Sequence, residues 1–515
     1  MADGNNALAL IEPDQFFAPT PRDAMGGLLE QYDDMRARVE NVAAIMTDAR
    51  RVAVRYFQTG NARDDYRMPS PDELFKLEGG IAALNADYWR RALDLTDIYD
   101  CMPQARRDDW DKRIRAMQTP DFTEDNIRAT IGDLLAARPK FLAERVDGIF
   151  RGLSGEHVTN SPNAFGKRMI IAYVFNDYGT TTSRAGLISD LRAVIAKFMG
   201  REPPRHGISH DMLRKCMQRH GEWHDIDGGA LRVRVYLKGT AHLEVHPDMA
   251  WRLNAILHTL YPYAIPPAQR QRPPKASKAF RMIGRPLPFA VLRVIDNGRM
   301  EGNAIYWHYF AEDEKPFSDE AMRVLESVGG VRGDMRVDFD YDPREVIREI
   351  SLSGCLPDVK AHQYYPTPEV VARAAVDMAR IGDGHTVLEP SAGTGHLAAL
   401  LPKDRTTCVE IAPLHCKVLA AKGHAVTQAD FLQYAGGPFD RIVMNPPYSE
   451  GRWLAHVKHA AGLLANGGRL VAVLPASARG KTLLDGYAHE WGAVYENEFA
   501  GTSIAVTLLA LERMA

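Results

Sequence analysis

From Tyr364 onward the chain alternates short apolar strands with helical segments, and this alternation limits its fold more than any other feature. The spacing predicts helices over 369–380, 396–401, 413–422 and 453–465, interleaved with strands 386–388, 407–409, 441–444 and 469–474. Strand-like runs 493–496 and 503–509 close the chain. Successive β/α units of this length pack as parallel strands with helices on both faces, so a doubly wound α/β domain is expected. In such sheets ligands bind beyond the carboxyl ends of the strands, which directs attention to the residues just after each strand.

Three of those strand ends carry polar chemistry. Val387-Leu388-Glu389-Pro390-Ser391-Ala392-Gly393-Thr394-Gly395-His396 reads as a strand running into a glycine turn that opens a helix. Without a Cβ, Gly393 and Gly395 let the backbone approach a ligand closely, and a following helix N-terminus presents free N–H groups. Glu410, at the end of the second strand, can hold two ribose hydroxyls, and Asp430, expected at the end of the third, can accept from an adenine amino group. The fourth segment ends in Asn445-Pro446-Pro447-Tyr448. An exocyclic amine or amide nitrogen is flat and a poor nucleophile, because its lone pair is delocalised. The Asn445 side-chain oxygen and the Pro446 carbonyl can accept both amine hydrogens and favour a pyramidal nitrogen, while Tyr448 offers a ring for stacking.

In this order the motifs resemble those of class I S-adenosylmethionine-dependent methyltransferases, with the Rossmann-like fold that implies. The Asn-Pro-Pro-Tyr form resembles the amino-group DNA methyltransferases. Gln363-Tyr364-Tyr365-Pro366-Thr367-Pro368, just before the domain, is similar to the Thr-Pro motif of adenine-N6 methyltransferases of the gamma order. The resemblance implies S-adenosyl-L-methionine as cofactor, bound through Tyr365, Thr367, Pro368, Glu389, Pro390, Ser391, Gly393, Gly395, Glu410, Ile411, Asp430, Phe431 and Asn445. It makes Asn445, Pro446, Pro447 and Tyr448 the catalytic residues, with Tyr448 and Phe499 on either side of an extruded adenine. Gamma-order enzymes usually carry a recognition domain after the catalytic one, whereas this sequence stops at Ala515, so recognition is expected upstream. There, Val158-Thr159-Asn160, Phe165-Gly166-Lys167-Arg168 and a hairpin around Lys238-Gly239 resemble an uncharacterised domain found upstream of methyltransferases on phages and mobile elements.

The upstream part divides into a loose arm (1–20), an α-rich domain with a β-hairpin (21–265), a basic Pro-rich linker (266–286) and a mixed α/β connection (287–362), ahead of the catalytic domain (363–515). Helical spacing runs over Asp23 to Phe57, Pro71 to Tyr99 and Thr123 to Leu153, with Asp72 and Thr123 as N-caps. Leu231 to Tyr236 and His242 to Val245 alternate as a hairpin, followed by a helix over Pro247 to Leu260. Further on, Phe289 to Ile295 and Ala304 to Tyr309 read as strands and Ser318 to Ser327 as a helix.

A net charge of −3 denies the chain a global attraction to phosphates, so DNA binding would need a local patch. The run Arg270, Arg272, Lys275, Lys278, Arg281 and Arg285 is the candidate for the backbone of double-stranded DNA. Five scattered cysteines, the lack of a long apolar span and the absence of a leader pattern lead us to expect a cytoplasmic protein without a membrane partner, as monomer or homodimer. His206, His210, Cys216, His220 and His224 have donors for zinc but not its paired spacing, so no metal is expected. Asp296 with Asp313-Glu314-Lys315 has the loose spacing of a nuclease core.

The expected activity is therefore adenine-N6 methylation of DNA. Guanine-N2 methylation of RNA and glutamine-N5 methylation of protein use the same amine geometry and remain alternatives. A non-catalytic DNA-binding or anti-restriction factor is a third.

Overall fold

The computed structural model describes residues 22–61, 69–96, 98–153, 155, 157–204, 207–272, 285–312, 314–357, 365–448, 451–499 and 503–513. The expected arm 1–20 lies outside them. Two compact units emerge, Met1–Leu213 with Arg234–Ser277, and Arg214–Val233 with Lys278–Ala515. Among the described residues no helix is long and apolar enough to cross a membrane.

The first unit is mostly helical. The spacing over Asp23 to Phe57 resolves into helices Arg22–Ile45 and Asp48–Asn61, and that over Thr123 to Leu153 into Glu124–Ala136 and Arg138–Arg151. Pro139 accounts for the second break, since proline fits the first turn of a helix but not its interior. Thr123 caps its helix by accepting from the Asn126 N–H, as expected. Asp72 does not cap: Ser70 does, in a reciprocal box with Glu73, and Asp72 falls in the first turn behind Pro71. Trp89 is fully buried against the rings of Phe122 and Trp110, with Tyr32 and Tyr88 completing the cluster. Buried Asp190 is held by Arg107 at 2.7 Å and Arg145 at 2.6 Å, which compensates charges that would otherwise be costly to desolvate.

Strands Arg168–Ile171 and Ala241–Val245 pair antiparallel, Arg168 opposite Glu244. The expected turn closes where the Tyr236 N–H donates to the Thr240 carbonyl and the Gly239 N–H to the Tyr236 carbonyl, both at 2.9 Å. Helix Pro247–Leu260 follows, as read from the sequence.

In the second unit, Phe289 to Ile295 is a helix, Phe289–Asn297, rather than a strand. Buried Phe289, Val291, Leu292, Val294 and Ile295 fit both periods, and Pro288 at the N-cap tips the choice toward helix. Strands Arg299–Glu301, Ala304–Tyr306, Arg336–Asp338 and Val331–Arg332 form a small antiparallel sheet in that order, with helices Lys315–Glu326 and Arg344–Ser353.

The C-terminal part is built on seven strands: β1 Val387–Pro390, β2 Thr406–Glu410, β3 Ala425–Gln428, β4 Phe439–Met444, β5 Leu464–Pro475, β6 Tyr487–Tyr495 and β7 Val506–Arg513. They lie in the order β3-β2-β1-β4-β5-β7-β6, parallel from β3 to β5, with β7 antiparallel to both neighbours. The doubly wound α/β fold is thus present, with a reversed seventh strand. Helices α1 Glu369–Ala379, α2 Pro413–Ala421 and α3 Arg452–Gly462 accompany it. The helix expected over 396–401 shrinks to one 3-10 turn, Ala398–Leu400. Leu401 is forced extended by the proline after it, which ends the turn.

Gly239 sits at φ +79°, and a Cβ there would stand 2.2 Å from the Phe175 carbonyl oxygen. Gly239→Ala is therefore expected to destabilise the first unit by at least about 2 kcal/mol, read as a lower denaturant midpoint in chemical unfolding.

Candidate active site

The sheet order reverses between β1 and β4, so the loops after these strands leave in opposite directions and open a crevice at their carboxyl ends. The register sets Val387 beside Thr406 and Arg441. Continued past the strand ends, it puts Ser391, Glu410 and Asn445 at one level. Ser391 is at φ +60°, an unusual conformation for a residue with a Cβ, and Gly393 and Gly395 follow at +58° and +86°. A Cβ on Gly395 would meet Leu419 Cδ2 at 2.8 Å, so that glycine is needed for packing of the turn onto α2.

Glu410 is buried, and its carboxylate organises the turn. Oε2 accepts from the Gly393 N–H and Oε1 from the Ala412 N–H, each at 2.8 Å. Burial opposes its charge, but His415, with Nδ1 3.8 Å from Oε1, and the two backbone donors outweigh that and hold the carboxyl below its ordinary value. Glu389, one strand over, goes the opposite way. Burial first and the charge on Glu410 second push its pKa well above the usual carboxylate range, and its Oε2 has no hydrogen-bond partner. Pro390 beside it is buried, and Ile411 after Glu410 is half-buried.

Asp430 lies two residues past the end of β3 rather than on it, and caps a 3-10 turn by accepting from the Leu432 N–H at 3.1 Å and from Gln433 Nε2 at 3.0 Å. Phe431 is buried, its ring 5.4 Å from His456 and 4.9 Å from His459. Both histidines belong to α3. His456 Nδ1 is also 3.4 Å from Ser391 Oγ, so this ring joins the loops after β1 and β3. Burial pushes its pKa to about 4, so it is neutral at physiological pH. The sequence reading missed it, because a pair of histidines three apart on a helix is not a distinctive spacing.

Thr367 is buried ahead of α1, and Pro368 is that helix's N-cap; Tyr365 is exposed. Asn445 Nδ2 donates to Thr367 Oγ1 at 3.1 Å. Which way an amide points follows from its partners, and this bond directs Nδ2 to Thr367 and leaves Oδ1 on the other side. There the Tyr448 hydroxyl lies 3.0 Å from Asn445 Oδ1 and 3.2 Å from the Val473 carbonyl. Burial pushes the phenol pKa upward. Tyr448 is half-buried and packs against a cluster that includes Val443, Val473, Leu397 and Phe499. Phe499, between β6 and β7, is buried in the same cluster. Pro446 is buried and Pro447 half-buried.

Other expectations fare differently. Arg270 and Arg272 are placed, while Lys275, Lys278, Arg281 and the side chain of Arg285 lie outside the described residues. His206 and Asp313 also lie outside. Among the described residues no group of three or more histidine, cysteine or acidic side chains could hold a metal ion. Asp296 accepts from Lys215 at 2.5 Å and Ser351 at 2.6 Å, and Glu314 from Asn297 at 2.5 Å.

A family model described as a domain of unknown function, DUF4942, matches residues 81–263. No curated protein matches the chain in sequence. Among solved structures, TrmN from Thermus thermophilus is similar at 20% identity and a TM-score of 0.26, over 40% of this chain and 69% of its own. Magnesium protoporphyrin IX methyltransferase from Synechocystis, with bound SAM, is similar at 16% identity and a TM-score of 0.25, over 38% of this chain and 92% of its own. An rRNA methylase from Streptococcus thermophilus is 14% identical with a TM-score of 0.23, over 29% of this chain and 98% of its own.

The two glutamates make opposite pH predictions. A carboxyl with a raised pKa favours the fold while protonated and loses that contribution as pH climbs from about 4.5 through the raised value. Stability of Glu389→Gln relative to the parent should therefore improve steadily with pH in denaturant titrations. For Glu410, lowered in the fold, the contribution is present above its ordinary pKa and lost on acidification, so Glu410→Gln should cost most at neutral pH.

Proposed function

We propose that the second unit is an S-adenosylmethionine-dependent methyltransferase that modifies the N6 amine of adenine in DNA. One observation carries the reading: Asn445, at the carboxyl end of β4 where the sheet order reverses, is fixed through Thr367 with its amide oxygen on the opposite side. An acceptor held in one orientation at that position can take a hydrogen from a flat NH₂ without reorganising when the bond to carbon forms.

The residues present fit the cofactor. Glu389 carries a buried oxygen without a partner next to a glycine turn, an arrangement that an added polar ligand would satisfy. Each Glu410 oxygen keeps a lone pair beyond its backbone bond, enough to receive ribose hydroxyls. Asp430 and Phe431 would hold the adenine, Ile411 would lie against it, and Tyr365, Thr367 and Pro368 would hold the methionine end. Bound there, S-adenosyl-L-methionine supplies an electrophilic methyl group.

Asn445 Oδ1 and the Pro446 carbonyl then accept the two amine hydrogens, which pulls the nitrogen lone pair out of the ring plane. The incoming amine trades its own hydrogen bond for the one Tyr448 makes to Asn445, and the released phenol ring stacks on the base. Extrusion of adenine costs a few kcal/mol of unstacking, which this exchange and the stacking offset. Thr367 is a positioning residue in this scheme, because it acts through Asn445. After transfer the extra proton on nitrogen leaves to water, so no step needs a charged base, in keeping with the uncharged side chains of Asn445, Thr367 and Tyr448.

The test is transfer of tritiated methyl groups to DNA, RNA and protein offered in parallel. Label in DNA, digesting to N6-methyladenine, is the expected result. Label in RNA guanine or protein glutamine instead would replace the substrate assignment. Asn445→Ala should lower kcat by at least about 10²-fold with cofactor affinity retained in calorimetry. Equal loss of both would give Asn445 a folding role only.

A further inference from the structure

Three stretches singled out in the first unit, around Asn160, Lys167-Arg168 and Lys238-Gly239, are brought together as one locked set of loops. Asn160 spans the first strand, accepting from the Ile170 N–H at 2.8 Å and donating to the Ile170 carbonyl at 2.9 Å. The Gly239 carbonyl accepts from the N–H groups of Val174 at 2.7 Å and Phe175 at 3.2 Å. This contact needs a glycine, as its missing Cβ shows. Asn176 Oδ1 accepts from the Tyr178 and Thr180 N–H groups at 3.1 and 2.9 Å, and Thr182 Oγ1 donates to the Tyr173 carbonyl at 2.5 Å. Tyr173 itself is held at φ +59°.

So much order is spent on side chains that face water. Tyr178 is 93% exposed, Leu237 71% and Tyr173 69%. A folded chain gains nothing by displaying three large apolar groups on rigid loops, and such displays mark contact surfaces. The charge beside them is mainly positive. Lys238 is exposed at the tip, Arg234 stacks over Tyr236 at 5.1 Å, and Arg168 lies on the adjoining strand, paired with Glu244. Burial pushes His242 downward, with smaller contributions from His157, Arg168 and Arg234. Asp177 is the acidic residue within the turn. In a chain of net charge −3, a local basic patch around apolar tips is complementary to a polyanion whose interior is a stack of flat rings.

We propose that this loop platform is a duplex-DNA contact, with Lys238 and Arg234 at phosphates and Tyr173, Tyr178 and Leu237 wedged against a base step. The proposal rests on the reading of DNA as substrate, and it gives the first unit a recognition role.

The test is fluorescence anisotropy of the full-length chain with a short labelled duplex, alongside methyl transfer to the same duplex. Tyr178→Ala combined with Leu237→Ala should raise Kd roughly tenfold or more, and Tyr178→Phe should retain parent affinity. Melting temperature and cofactor binding should not move, since both side chains are exposed. Lys238→Ala should reduce the slope of log affinity against log salt by about one. Parent-like affinity in the double variant, with transfer to DNA intact, overturns the platform and leaves the activity standing. A parent chain that neither binds nor methylates duplex DNA overturns both.

Discussion

Two carboxyl groups end adjacent strands in one apolar interior, and a single charge is all that interior supports. Glu410 carries it, because backbone donors from Gly393 and Ala412 and the ring of His415 converge on its oxygens. Glu389 is then driven to the neutral form by burial and by its neighbour. The glycine turn takes its shape from the ionised member, since the Gly393 N–H that would otherwise be an orphan is bound to it. The asymmetry is a local solution to a general cost: like charges in low dielectric cannot both persist. It sets a carboxyl that favours its proton next to one that favours its charge.

Across the crevice the chemistry is uncharged. Asn445, Thr367 and Tyr448 form a chain of dipoles in which each group fixes the next. Such a chain holds geometry in place without needing counterions, which suits a reaction whose nucleophile is itself neutral. It also tethers the half-buried phenol of Tyr448 at its hydroxyl, beside the Asn445 amide oxygen.

The strand ends were legible because their residue types are bound to position: a glycine turn needs positive φ, and Asn-Pro-Pro-Tyr after an apolar run is a strand end with acceptors. Thr367 was legible only by its resemblance to known motifs, yet it proves to orient Asn445. What periodicity could not supply was the choice between helix and strand at Phe289, where five apolar residues suit either, or the length of the segment after Gly395, set by the restriction Pro402 places on Leu401. Nor could it show that Tyr448 and Phe499 share one packed cluster, because aromatic residues near strand ends look alike until the core is assembled. His456 gave no signal at all. In the first unit, the separate sequence stretches acquire meaning only through Asn160, whose hydrogen bonds reach Ile170, and Gly239, which joins the far segment at Val174 and Phe175.

Because β7 inserts between β5 and β6, the outer edge of β5 stays bare until residues 506–513 have been made. That edge belongs to a strand of twelve residues, almost continuously apolar beyond Arg469, and unpaired strands of this kind are templates for aggregation. During synthesis the nascent chain must therefore carry this association-prone edge until β7 emerges, and any stall or frameshift inside β6 would release a polypeptide primed to pair with its own copies.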